Sequence, residues 1–148
     1  MFLPHPYLHF HLPVTIYHLS SCSTCQRILK EVPGLERFDL QDIKTEPITP
    51  EQLDHLRELA GSYEALFSRR AMKFRALGLH EQQLSEPDFR RLILEEYTFL
   101  KRPVAVIADR IFIGNAKATV QALVAAASAW ASDRHSPSNS SSSALISA

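Results

Sequence analysis

Val14-Thr15-Ile16-Tyr17-His18-Leu19-Ser20-Ser21-Cys22-Ser23-Thr24-Cys25 carries the decisive signal in this chain. An alternating apolar run leads into a Cys-x-x-Cys pair, and a helical pattern leads out of it. Cys25, Ile28, Leu29 and Val32 fall at the i, i+3, i+4, i+7 spacing of one buried stripe, closed by Pro33-Gly34. The spacing predicts a strand over 14–19 followed directly by a helix. A thiol at such a junction faces unpaired backbone N–H groups and the positive end of the helix dipole, and both favour thiolate. Cys22 is therefore the candidate nucleophile, with the N–H groups of Ser23, Thr24 and Cys25 favouring its charge. Cys25 lies about one turn further in, on the inner face, which suits a resolving thiol. Two plainer readings stay open. The pair could be buried cysteines at an ordinary helix start, or half a zinc site, although no second Cys-x-x-Cys or close His pair follows.

Composition narrows the class. The 148 residues fit one domain with a real core, and 45% are hydrophobic. Sixteen basic residues balance sixteen acidic ones, so no bulk basic footprint invites nucleic acid. The two cysteines are too few for a disulfide scaffold, so redox or metal chemistry is the alternative. Residues 1–13 read as an irregular extension with three prolines and His5, His9 and His11. Without a cationic start or an unbroken apolar run no signal peptide is expected, and His9 with His11 is too sparse to imply a bound metal. No apolar run nears the ~20 residues of a membrane span. A cytoplasmic protein is expected.

Further along, 35–40 predicts a second strand, which with the first strand and helix makes a right-handed βαβ unit. Thr49, Pro50 and Gln52 announce a capped helix with Leu53, Leu56, Leu59 and Ala60 inside and Gly61 at its end. Residues 62–67 predict a short helix, followed by the basic stretch 68–75. Ser85, with Pro87 and Asp88, caps another helix that buries Phe89, Leu92, Ile93 and Tyr97. Residues 103–108 form the clearest later strand, and Asp109-Arg110 is expected to turn the chain into an antiparallel strand over 111–113. Asn115 is the expected cap of a last helix that buries Val120, Leu123, Val124 and Ala127. Residues 132–148 are Ser-rich and are expected to be a disordered tail. The order is β-α-β, a helical insert, then β-β-α. This is an α/β, thioredoxin-like arrangement with a four-stranded mixed sheet, over residues 14–131.

Thioredoxin-like domains place a cis-proline at the start of the third strand, facing the cysteines. Pro103 occupies that position, and Arg102 before it would aim its guanidinium at the thiolate and at a bound oxyanion. An edge-strand proline beside a solvated arginine is the plainer alternative. Arg69 and Arg70 could supply a second cation or belong to a solvated face. His18, four residues before Cys22, could bond the thiolate or order the loop.

These pieces resemble the arsenate reductase-like family, which includes glutaredoxin-coupled arsenate reductases and the Spx redox regulators. The matching stretches are Ile-Tyr-His-Leu-Ser-Ser-Cys-Ser-Thr-Cys at 16–25, Ser-Arg-Arg at 68–70, Lys-Arg-Pro at 101–103 and Arg-Ile-Phe-Ile-Gly at 110–114. The resemblance implies Cys22 as catalytic thiolate, His18 as the histidine preceding it, and Arg70 (or Arg69) with Arg102 as two of three arsenate-binding arginines. It implies thiolate attack on arsenate and release of arsenite, with no bound cofactor and with glutathione and glutaredoxin, or thioredoxin, as electron donor. Two features depart from the reductases. Gly114 stands where the third arginine is expected, at a cost of ~1.5–3 kcal/mol of oxyanion binding. Cys25 supplies a second cysteine, as in Spx, which would allow an internal disulfide. An Spx-like role would imply RNA polymerase as partner.

Overall fold

The computed structural model describes residues 14–135. Its organising strand is β1, Val14–His18, where Val14 and Ile16 are buried on one face and Tyr17 is buried on the other. Helix α1, Ser23–Glu31, follows after a four-residue loop and buries Cys25, Ile28 and Leu29. The chain then makes strand β2, Asp39–Asp42, helix α2, Pro50–Ala60, the short helix α3, Met72–Ala76, and helix α4, Glu86–Glu95. Strands β3, Val104–Ile107, and β4, Arg110–Ile113, form a hairpin, and helix α5, Lys117–His135, closes the described chain. The sheet order is β2-β1-β3-β4, with β1 parallel to β2 and antiparallel to β3, and β4 antiparallel to β3. The mixed four-stranded, thioredoxin-like sheet expected from the sequence is present.

Both sheet faces are covered. Ile16, Val14, Ala105, Ile107 and Phe112 pack on one face with Ile28, Leu29 and Val32 and, from α5, Leu123, Ala126 and Ala127. Tyr17, Val104 and Val106 face the helical insert, whose centre is Phe67 stacked on Phe99 at 5.0 Å and tilted on Phe89 at 4.9 Å. The insert's helices begin as their sequences predict. Thr49 and Gln52 form a reciprocal capping box with Pro50 in the first turn, and Ser85 and Asp88 form another.

Several local expectations are corrected. The second strand runs parallel to β1 as expected but starts later than residue 35: after Gly34, in the left-handed region, Leu35–Arg37 makes a 3-10 turn and β2 spans Asp39–Asp42. The buried position of β2 is Gln41, not Leu40, which is 40% exposed. Gln41 is accommodated by a reciprocal amide pair with Gln52 at 3.0 and 2.9 Å. Residues 62–67 contain a single 3-10 turn, Glu64–Leu66, and Tyr97 belongs to another, Tyr97–Phe99, rather than to α4. The hairpin turn is Ala108-Asp109, with Ala108 at φ 56°, because Arg110 already pairs with Ile107. The last helix begins at Lys117, so its cap position falls on Ala116, whose carbonyl accepts from Val120, rather than on Asn115. Ala126 is buried on that helix, whereas Val120 and Val124 are only partly so. Helix α5 extends to His135, four residues beyond the expected end of the domain. The N-terminal extension with His5, His9 and His11, and residues 136–148, lie outside the described residues.

Candidate functional site

The register of β1 against β3 assembles the site. Tyr17 pairs with Val104, so the chains diverge with Pro103 and Arg102 opposite the loop that leads to Cys22. The Arg102–Pro103 bond, whose isomer the sequence left open, is cis. Cys22 sits at the N-cap of α1 in an extended conformation, and its own N–H donates to the Leu19 carbonyl at 3.0 Å. That turn leaves the sulfur at the helix start, where the chain's orphan N–H groups converge.

Both cysteines are reduced, and their environments differ. Burial opposes charge on Cys22. The N–H and the thiol of Cys25, the N–H of Thr24 and the charge of Arg102 outweigh that penalty, so the Cys22 pKa lies below the ordinary thiol value. Cys25 is fully buried, and burial pushes its thiol up to about 11, with its hydrogen bond to Cys22 and the Cys22 charge adding to the rise. The thiol of Cys25 is thus the donor and the Cys22 sulfur the acceptor. One sulfur is partly exposed and its charged form is favoured; its neighbour is a buried thiol hydrogen-bonded to it. Ser23 is exposed in the first turn of the helix.

Arg102 is held by backbone. Its Nη1 donates to the Thr98 carbonyl at 3.1 Å and to the Leu100 carbonyl at 3.0 Å. A guanidinium has five N–H donors, so the edge formed by Nε and Nη2 keeps the planar geometry that suits an oxyanion. Arg69 and Arg70 divide. Arg69 bonds Glu64 at 2.8 Å and lies over the rings of Phe74 and Phe89, so its charge braces the insert. Arg70 is exposed and makes no hydrogen bond or ion pair among the described residues. Their segment is tied to the one that leads into Arg102: Ser68 donates to Phe99 and Lys101 to Leu66, at 2.7 and 2.8 Å.

His18 orders the loop. Its Nδ1 lies 3.5 Å from Gln26 Nε2, which also donates to the Leu19 carbonyl at 3.1 Å. Burial lowers its pKa against the pull of Asp42, so it is neutral near pH 7 and adds no cation. Asp42, at the end of β2, accepts from Ser20 and holds the other side of the loop. Gln26, Asp42 and Thr98 are contributors that sequence reading missed. Gln26, directly after Cys25 on a helix start, was the one polar signal available; the other two reach the site through tertiary pairing. Among the described residues no group of three His, Cys, Asp or Glu could hold a metal ion, and no helix is long and apolar enough to cross a membrane.

A model of the ArsC family matches residues 17–123. The chain belongs to the ArsC family. Among its ArsC-family and related neighbours, the global transcriptional regulator Spx of Bacillus subtilis is 27% identical over 107 residues, covering 68% of this chain and 79% of the relative. The crystal structure of a possible arsenate reductase from Streptococcus mutans superposes with a TM-score of 0.59 at 28% identity, over 72% of this chain and 92% of that one. An ArsC family related protein from Bacteroides fragilis shares the fold with a TM-score of 0.65 at 20% identity, over 76% and 98% of the two chains. The family resemblance read from the four short motifs is thereby borne out.

Proposed function

We propose that this ArsC-family protein is a thiol-dependent oxidoreductase acting on a small oxyanion of arsenate type, with Cys22 as nucleophile and Cys25 as resolving thiol. The carrying observation is the asymmetry of the pair: the Cys25 and Thr24 N–H groups and Arg102 lower the Cys22 pKa, while burial raises that of Cys25, whose thiol is hydrogen-bonded to the Cys22 sulfur. In the proposed cycle the Cys22 thiolate attacks arsenic(V) and water departs, leaving a sulfur–arsenic bond. Cys25 then attacks the Cys22 sulfur and its proton passes to the leaving oxyanion. The sulfur–arsenic electron pair stays on arsenic, which leaves as arsenite. The cysteines are left as a disulfide, two electrons having passed to arsenic. An external dithiol such as thioredoxin, or glutathione with glutaredoxin, restores both thiols. The free edge of Arg102 and the exposed Arg70 supply the cations that bind the oxyanion; Pro103, Ser23 and Thr24 border it. Arsenate reduction assayed with each donor tests the reading, and no turnover with either donor while Cys22 is reduced refutes it.

A second reading is favoured by the Spx similarity and by Gly114. Gly114 has φ +88°, a conformation that side chains rarely adopt, and its N–H donates to the Pro103 carbonyl. The backbone at the rim of the site is thus shaped for glycine rather than for a third arginine. In this reading the Cys22–Cys25 pair is a redox sensor that governs binding to RNA polymerase. Purified polymerase that fails to bind the chain in both the dithiol and the disulfide state excludes it.

A further inference from the structure

We propose that Glu96 is a positioning residue for the active-site arginine: by clamping the Tyr97–Phe99 turn it fixes the carbonyls that hold the Arg102 guanidinium beside Cys22. This rests on the reading in which Arg102 supports the Cys22 thiolate. Arg102 has no carboxylate partner among the described residues, so its place is set by the Thr98 and Leu100 carbonyls alone. Both belong to the turn and its exit. The turn begins at Glu96, whose carboxylate accepts from Thr98 N–H at 3.3 Å and from the Thr98 hydroxyl at 2.8 Å. Its carbonyl accepts from Phe99 at 3.0 Å, and its N–H is bound to Leu92 at the end of α4. Lys73 on α3 holds the outer side of the same carboxylate at 2.6 Å. The Glu96 side chain is 18% exposed against 58% for Lys73, so the acid is the seated partner and the lysine the solvated one. Lys73, and then the Thr98 bonds, keep that carboxyl below the usual carboxylate range, so it is an ionised acceptor at neutral pH. A short turn with few backbone bonds of its own needs such a cap to hold a fixed carbonyl direction.

The sign of the effect separates positioning from a direct field. A carboxylate near a thiol raises the thiol pKa, so deleting its charge alone should favour the Cys22 thiolate. Loosening Arg102 should do the opposite. The test measures alkylation of Cys22 by iodoacetamide against pH in the full chain, read by peptide mass. The expected result for Glu96→Ala is an upward move of the profile midpoint and alkylation about twofold slower at neutral pH. Glu96→Gln keeps one acceptor oxygen and should show part of that change, and it serves if the alanine variant does not fold. Neither should add to Arg102→Met, because both act through the same group. Lys73→Met leaves the Thr98 bonds in place and should leave the midpoint where it is. A midpoint that stays or falls in both Glu96 variants, while Arg102→Met raises it, overturns the proposal alone. A midpoint unmoved by Arg102→Met overturns the Arg102 reading and the proposal with it.

Discussion

Replacing Cys25 by alanine separates the two jobs assigned to that residue. Its N–H bond to the Cys22 sulfur is backbone and survives, as does that of Thr24; the thiol donor is lost. A hydrogen bond of that kind contributes about 0.5–1 kcal/mol, so Cys22 should lose two- to fivefold of its thiolate population and be alkylated about that much more slowly at neutral pH. Because Cys25 is 0% exposed and packs with the insert-facing core, deleting its sulfur leaves a void of one heavy atom. A loss of about 1–1.5 kcal/mol of unfolding free energy is expected from denaturant titration. Function should change more than stability. The oxidised native chain should lose the mass of two hydrogens and resist alkylation at both positions, whereas the variant cannot form that disulfide. Turnover with thioredoxin, which requires the internal disulfide, should then vanish, while turnover with glutathione and glutaredoxin should persist to the extent that glutathione attacks the Cys22 sulfur in place of Cys25, the mixed disulfide then being reduced by glutaredoxin. Undiminished thioredoxin-driven turnover in the variant would refute the assignment of Cys25 as resolving thiol.

Other consequences are mostly structural. Phe67→Ala removes a ring that is 2% exposed and contacts Phe74, Phe89 and Phe99, so it should cost about 3–5 kcal/mol in chemical denaturation; under 1.5 kcal/mol would mean that the insert is not centred there. A double-mutant cycle of Gln41→Ala and Gln52→Ala should give a coupling near 1 kcal/mol, from the reciprocal amide bonds that join β2 to α2. Ala108→Gly should stabilise the hairpin by about 0.5–1 kcal/mol, since Ala108 holds φ 56°, and a loss of melting temperature would contradict that turn. Asp54, bonded by Arg90 and then Tyr63, has its pKa lowered to about 2 from 3.8. A depressed acid contributes stability above its unfolded pKa and loses it as pH falls through the folded one. Asp54→Asn should therefore be less stable than the native chain above pH 4 and converge on it toward pH 2.

The first βα unit was legible because its rules are local: a strand with buried Val14 and Ile16, a helical stripe, and a cysteine at the junction. The capped helices were legible for the same reason, since a capping box needs only four residues. Strand β2 was legible in its existence and parallel pairing but not in its bounds or its buried residue, and the cause is specific. Phe38 and Leu40 offered an apolar signal, but Phe38 is buried before the strand begins, against Trp130 of α5, and Leu40 faces outward. The residue that β2 does bury is glutamine, which reads as polar until Gln52 arrives from another element. The arginines show the same limit. Arg69 and Arg70 are neighbours with equal charge, and only the positions of Glu64, Phe74 and Phe89 decide that the first is spent on packing.

Gly114 bears on how far the site can be read as an oxyanion pocket. An arginine at 114 would contribute ~1.5–3 kcal/mol to binding a charged oxyanion, but at φ +88° it would cost about 1–2 kcal/mol of backbone strain. The two nearly offset, so a third cation is not one substitution away; the turn opposite Pro103 would have to change with it. The positive field at Cys22 consequently comes from the helix start and Arg102. That suffices for a single thiolate, whose charge is met by two N–H groups, one thiol and one guanidinium. A multiply charged oxyanion needs more, and in the proposed reading the exposed Arg70 provides it. In that reading the thiol step rests on Cys22 and Cys25, whereas preference for arsenate rests on Arg70 closing on the bound anion. Arg70→Ala should raise KM for arsenate while leaving Cys22 alkylation unchanged; a parallel loss of both would place Arg70 at the sulfur instead.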